Sequence, residues 1–167
     1  YNQRRALLQA ADMAHLKVFR LVSEIVAAAA YIQTYRPANR RMLIFDCGAG
    51  LCNAAVVNFD GDLIEVMAAA GSSELGGDDF DAVLMEMIRQ KIVSSMPAGV
   101  TNFSEKMHSA SGRFKVIAEA VKIKLAQLDE VTVRVPQSLF QEQLQQDFFI
   151  KVKRQDFFEA SAPLIGK

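Results

Sequence analysis

One twenty-residue stretch, Arg41-Met-Leu-Ile-Phe-Asp-Cys-Gly-Ala-Gly-Leu-Cys-Asn-Ala-Ala-Val-Val-Asn-Phe-Asp60, limits what this chain can fold into more than any other. An apolar run from Met42 to Phe45 ends on a carboxylate, Asp46. A Gly48-Ala49-Gly50 corner follows, and a second apolar run from Ala54 to Phe59 leads away. Two strand-like runs joined by a short glycine corner read as a β-hairpin. Small residues at such a corner let backbone N–H groups approach an anion, because no Cβ stands in the way. A carboxylate at the strand end could orient a metal-bound water. Two readings therefore fit these residues: a turn for phosphate and metal, or an ordinary glycine hairpin with a surface aspartate. The loop that runs from a strand into a helix in many nucleotide-binding proteins is excluded, since no Gly-Lys-Ser/Thr follows.

The flanks extend this hairpin into a mixed α/β arrangement. Residues 2–15 read as a helix with Leu7, Leu8, Ala11 and Ala14 on its apolar face. Lys17 to Val22 alternates and reads as a short strand. Ser23 is an N-cap candidate with Glu24 in the first turn, opening a helix that Arg36-Pro37 ends. After Asp60-Gly61-Asp62, Leu63 to Ala70 reads as the third strand of a meander. Asp78 or Asp79 starts a helix with the face Phe80, Val83, Leu84, Met87 and Ile88. Met96-Pro97-Ala98-Gly99 closes it. A longer helix spans 104–127 with a stripe of Met107, Ala110, Phe114, Ile117, Val121, Leu125 and Leu128. Glu130 to Val135 and Phe148 to Val152 read as paired strands across the glutamine-rich stretch 137–146. A last helix from Asp156 has Phe157, Phe158 and Leu164 as core candidates. The 70–155 boundaries read as a helix-plus-hairpin subdomain inserted into a larger one.

Charge and length narrow the function classes. With 167 residues, 51% of them hydrophobic, the chain can bury a core for one domain or two small ones. Nineteen basic and nineteen acidic side chains cancel, so no basic field argues for nucleic acid. The longest apolar run, 25–32, falls far short of the roughly 20 residues a membrane-spanning helix needs, so no membrane partner is expected. Cys47 and Cys52 make neither a CxxC nor, with His15 and His108 distant in sequence, a zinc set. They read as free thiols of a cytosolic-type compartment. Both are expected to be buried small hydrophobes, against a redox pair facing across the hairpin. The chain opens inside an apparent helix, which reads as a piece of something larger.

Four segments resemble the nucleotide-binding domain of the seventy-kilodalton heat-shock chaperones of DnaK type, in the family's order. Leu21-Val-Ser-Glu-Ile-Val-Ala-Ala-Ala29 resembles Ile-Ile-Asn-Glu-Pro-Thr-Ala-Ala-Ala, and Ile44-Phe-Asp-Cys-Gly-Ala-Gly-Leu-Cys-Asn53 resembles the second phosphate hairpin. Ala70-Gly-Ser-Ser-Glu-Leu-Gly-Gly-Asp-Asp-Phe-Asp81 is similar to Gly-Asp-Thr-His-Leu-Gly-Gly-Glu-Asp-Phe-Asp, and Ala118-Glu-Ala-Val-Lys-Ile-Lys-Leu125 to Cys-Glu-Arg-Ala-Lys-Arg-Thr-Leu. The resemblance implies an actin-like ATPase fold: a ribonuclease H-like base with an inserted helix-plus-hairpin part, α+β in character, about half of the full ATPase domain. Residues 1–75 plus 154–167 would be the base of the second lobe, with 1–16 a helix entering from the first. Residues 76–153 would cap the adenosine.

The same resemblance implies ATP or ADP, Mg2+ and a potassium ion as cofactors. Glu24 and Asp46 would be catalytic, Asp46 also holding the metal through water. Gly48, Ala49, Gly50 and Leu51 would meet the phosphates. Gly77, Asp78, Glu119, Lys122, Ile123 and Ala126 would line the adenosine. Implied partners are the remaining lobe, a J-domain co-chaperone, a nucleotide exchange factor and, through a separate domain, unfolded clients. Ile123 stands where the family stacks an arginine on adenine, and Ala126 where a serine bonds the base. Asn53 weakens the ion site, Leu51 replaces a threonine, Ala49 a glycine, Ile25 a proline and Val26 a threonine. Losing the stacked guanidinium and the serine together lowers nucleotide affinity by about one to two powers of ten. The expected function is part of a divergent chaperone ATPase, against a non-hydrolysing chaperone-like scaffold or exchange-factor-like module. A plain actin-like structural protein explains the hairpin but not Leu75-Gly-Gly-Asp-Asp-Phe-Asp81.

Overall fold

The computed structural model describes residues 2–36, 40–95, 111–136 and 147–166. The helix-stripe positions Met107 and Ala110, Pro37, the 96–99 stop and the glutamine-rich 137–146 stretch lie outside these. The chain divides into two compact units, Tyr1–Asp46 with Cys52–Ser72, and Cys47–Leu51 with Ser73–Lys167.

In the first unit, helix α1 (Asn2–Met13) precedes α2 (Glu24–Tyr35). Strands β1 (Arg40–Cys47), β2 (Cys52–Asp60) and β3 (Leu63–Ser72) form a sheet in the order β1-β2-β3, the expected meander. β2 and β3 pair antiparallel from Cys52↔Ser72 to Asp60↔Leu63, with an irregularity between Val56 and Val57. Gly61 closes their two-residue turn at φ 56°, a left-handed conformation that glycine adopts without steric cost. Gln33 of α2 donates to its carbonyl at 2.7 Å. The core joins Ile25 and Ala29 of α2 to Ile44, Ala55, Val57 and Phe59 of the sheet. Ser23 caps α2, its hydroxyl accepting from Val26 N at 3.4 Å with Glu24 in the first turn. Replacing Ser23 by alanine is expected to cost about 1 kcal/mol, read as a lower urea midpoint.

One expectation for this unit is corrected. Residues 16–23 carry no strand, although Lys17–Val22 alternates. Alternation prepares a strand, but a strand forms only where its N–H and C=O groups pair with a neighbour, and the sheet of this unit is made of β1, β2 and β3 alone among the described residues. Lys17 instead lies over the Phe19 ring, 5.4 Å from its centroid. The apolar face of α1 is not buried: no α1 residue is, and Leu7 and Leu8 are exposed. A 3.6-residue period says which side of a helix is apolar and not what covers it.

In the second unit, α3 (Gly77–Ser95) and α4 (Ser111–Leu125) pack together. The antiparallel hairpin of β4 (Glu130–Val135) and β5 (Phe148–Lys153) and the helix α5 (Arg154–Ile165) complete it. The hairpin register runs from Glu130↔Lys153 to Val135↔Phe148. Leu84, Ile88 and Ile92 of α3 share a core with Phe114, Ala118, Val121 and Leu125 of α4. Val131, Val133 and Val135 of β4 and Ile150, Val152 and Phe157 belong to the same core. Phe80, Val83 and Met87 flank it half-buried. Leu128 and Phe158 are exposed, against expectation. Leu128 lies beyond the last turn of α4, so the helical stripe no longer aims it inward, and Phe158 follows Phe157 by one residue, about 100° around the helix.

On α3, Arg89 hydrogen-bonds the Glu86 carboxylate and, with Gln90 adding a second donor, holds it down at about 2 from its ordinary value of 4.5. A depressed carboxylate stabilises the fold above its unfolded pKa and stops doing so as pH falls through the folded one. Glu86→Gln should therefore lower the urea midpoint slightly at pH 7, by an amount that shrinks progressively as pH falls from about 4.5 toward 2.

Candidate phosphate loop and its anchor on helix α3

The Gly48–Leu51 corner belongs to the second unit and is anchored there by its own carbonyls. Gly48 C=O accepts from Gly77 N at 3.0 Å, and Ala49 C=O accepts from Asp78 N at 2.7 Å. Those two N–H groups open α3 and would otherwise lack helical partners. Within the corner, Gly48 N donates to Leu51 C=O at 2.9 Å. Asp79 completes the cap: its Oδ2 accepts from Gly76 N at 2.8 Å, while Asp79 N donates back to Gly76 C=O at 3.1 Å. The Leu75-Gly-Gly-Asp-Asp run thus works as a helix start built to receive the loop.

Gly76 is buried and admits no side chain. A Cβ there would overlap Ala49 C=O, with Ala49 C at 2.7 Å and Leu51 N at 2.8 Å. Conditions on the loop itself are the reverse. A Cβ on Gly50 would meet nothing within 4 Å, and one on Gly48 only Leu51 C=O at 3.7 Å. The N–H groups of Ala49, Gly50 and Leu51 make no hydrogen bond among the described residues. Three consecutive unspent N–H groups with open space beside the glycines are what a phosphate requires.

Helix α4 lies along the other side of the α3 start. Lys122 Nζ donates to Gly77 C=O at 2.9 Å and stands 2.8 Å from Asp81 Oδ1. The second contact lacks hydrogen-bond angles. It is an ion pair, since attraction between charges at that distance depends little on angle. Asp81 is buried and Lys122 half-buried. Two turns earlier on α4, Lys115 pairs with Asp78 at 3.0 Å. The bond to Asp78, with lesser help from Asp81 and Glu119, raises the Lys115 ammonium above its ordinary pKa. Glu119 and Ala126 are exposed, and Ile123 is 63% exposed.

Of the residues singled out in the sequence, the second unit therefore brings together the 48–51 loop, Gly77, Asp78 and Lys122, with Glu119 on the same face of α4 as Lys115 and Lys122. Glu24, Asp46 and Asn53 belong to the first unit. Glu24 is exposed on the first turn of α2. Asp46 is half-buried in β1, on the same strand face as Met42 and Ile44, which pack against α2. Asn53 is half-buried, and Gly71 across the sheet leaves room for it: a Cβ there would stand 3.3 Å from Asn53 Cγ. Asp81 was missed. Its signal was present, because positions 81, 84, 88 and 92 form the buried stripe of α3 and one of them is a carboxylate.

The two thiols differ. Cys52 is buried as expected, whereas Cys47 is exposed, and both are free. Labelling the native protein should modify one thiol rapidly and the other only on unfolding; equal rates would contradict this placement.

Among the described residues, no cluster of three or more His, Cys, Asp or Glu side chains could hold a metal alone, and no helix is long and apolar enough to cross a membrane.

Comparison with known proteins places this geometry in a family. The model of the Hsp70 protein family matches residues 1–167. The chaperone protein DnaK 3 of Synechococcus sp. is 35% identical over 135 residues, covering 80% of this chain and 20% of that protein. Chaperone protein dnaK1 of Synechococcus elongatus is 33% identical over 135 residues, with the same coverage of each chain. Chaperone protein dnaK of Trieres chinensis is 28% identical over 135 residues, covering 81% and 21%. The chain thus spans about a fifth of the length of these relatives. With the family model matched from end to end, and its Leu-Gly-Gly run forming the anchor of a glycine loop, the chain belongs to the Hsp70 protein family.

Proposed function

We propose that this chain forms the second lobe of a divergent Hsp70-type ATPase domain, of actin-like fold, and binds ATP or ADP. The observation that carries this reading is the loop 48–51, held to α3 by its carbonyls with the N–H groups of residues 49–51 unspent. Those N–H groups would receive the β- and γ-phosphates. Charge is then stabilised by fixed dipoles that need no reorganisation when the phosphoryl group moves. Magnesium would enter with the phosphates and keep most of its water, as a small hard cation does, and would neutralise charge developing on them. Asp46 would orient its water, and Glu24 would polarise the attacking water. Lys122 and Glu119 would hold the ribose, with Gly77 and Asp78 beside the adenosine.

In the complete protein the same lobe would couple nucleotide state to the folding of client chains, with a J-domain partner, an exchange factor and a potassium ion as further participants. A cytoplasmic setting goes with this reading. Two exposed apolar positions, Ile123 and Ala126, stand where adenine would be stacked and bonded, which favours a second reading: a chaperone-like scaffold that no longer turns over.

Calorimetric titration of magnesium-ADP into the longest natural chain containing this stretch separates the two. Micromolar or tighter binding is the expected result. Absence of binding to a folded protein would leave the scaffold.

A further inference from the structure

Asp81 has no role in the reading above, yet it is the buried carboxylate closest to the residues that carry it. It is 2% exposed, and Lys122 Nζ lies 2.8 Å from its Oδ1. The same ammonium donates to Gly77 C=O, one residue from the buried glycine that receives the phosphate loop. An ammonium has three donors and no acceptor. One is spent on Gly77, and the side against Asp81 is committed to an ionic contact. Lys122 therefore cannot swing freely as a lysine normally does on its four-carbon stem. What it can offer a ligand is a single fixed N–H.

Charge sharpens the point. Lys122 is neutralised by Asp81, and Lys115 by Asp78, with Asp79 and Glu119 nearby on the same two helices. Those six side chains sum to a negative charge, so this end of the site has no attraction for a phosphate. A neutral hydroxyl acceptor is the group that a charge-compensated, directed N–H suits.

We propose that Asp81 is a positioning residue that fixes Lys122 for a neutral vicinal diol, the ribose 2′- and 3′-hydroxyls, and keeps the nucleotide's phosphates at the 48–51 loop. The proposal rests on the nucleotide-binding reading above. It assigns Asp81 no contact with the ligand; Asp81 acts through Lys122.

The test compares magnesium-ADP with magnesium-2′,3′-dideoxy-ADP by calorimetry, using the longest natural chain. The unaltered protein should prefer ADP by about tenfold, the factor one hydrogen bond to a charged donor supplies. Asp81→Asn should weaken ADP while leaving dideoxy-ADP within about twofold, so that the preference shrinks to about threefold or less. A merely structural role would weaken both ligands together and leave the ratio intact, which would overturn the proposal. Should Asp81→Asn fail to fold, Asp81→Glu keeps the ionic contact on an arm one methylene longer, which moves the Lys122 ammonium, and the same loss of preference is expected from it. An Asp81→Glu variant that discriminates like the unaltered chain would overturn the proposal as surely. If the unaltered, folded chain binds neither ligand, the nucleotide reading itself fails and this inference with it; if it binds both with an unchanged ratio in the variants, only the inference fails.

Discussion

Lys122→Ala is expected to destabilise the second unit by about 3 kcal/mol, the cost of leaving one member of a buried ion pair without its partner. Asp81, on the stripe that buries Leu84, Ile88 and Ile92, has no water to turn to. Lys122 also supplies the hydrogen bond to Gly77 C=O, so the truncation removes a contact at the start of α3 as well. Urea denaturation at pH 7 measures the effect. Lys122→Met keeps most of the aliphatic stem, and separates lost packing from lost charge. The double variant Asp81→Asn/Lys122→Gln should recover much of the stability, since replacing both charges removes the uncompensated one. A cost under about 1 kcal/mol for Lys122→Ala would mean that Asp81 is solvated in solution, and that the pair fastens nothing.

Gly76→Ala is the second large effect, expected at about 1–3 kcal/mol. The new methyl would press on the backbone of Ala49 and Leu51, which cannot rotate away as a side-chain tip could. Relief requires the loop to lift, and lifting breaks the bonds from Gly77 N to Gly48 C=O and from Asp78 N to Ala49 C=O. Magnesium-ADP affinity should fall by more than tenfold in the same variant, because the N–H groups of residues 49–51 lose their fixed direction. Gly50→Ala is the control for stability. Its Cβ would meet open space, so the urea midpoint should stay within about 0.5 kcal/mol of the unaltered chain. Equal stability losses at Gly76 and Gly50 would show that glycine is needed for backbone freedom throughout the corner and not for the docking at α3.

Local chemistry in the sequence was enough for every element whose stability is local or whose pattern has one solution. Ser23 with Glu24 marked the start of α2 because the cap is made within a single turn. The glycine corner between two apolar runs gave β1 and β2, and Asp60-Gly61-Asp62 gave the turn to β3. Val131, Val133 and Val135 alternated, and the buried face of β4 followed. The four family-like segments identified the Hsp70 membership from the residues alone.

Other features depend on which faces meet, and no window of sequence contains that information. Lys17–Val22 has the alternation of a strand but pairs with none of the described strands. The stripe of α1 is apolar, yet Leu7 and Leu8 remain exposed, since period does not supply a covering surface. Cys47 and Cys52 flank the same corner and read alike, but one is exposed and the other buried. The site shows the same division. The glycines of the loop were legible as a place where backbone could meet an anion. That Gly76 must be bare to seat Ala49 was decided only when the loop docked on the start of α3, and that Lys122 reaches Gly77 45 positions earlier and the carboxylate of Asp81 only when α3 packed against α4. An ion pair between two helices is set by the rotation of each about its axis. That rotation is fixed by the shared core of Leu84, Ile88, Phe114, Ala118 and Val121, not by the charges themselves.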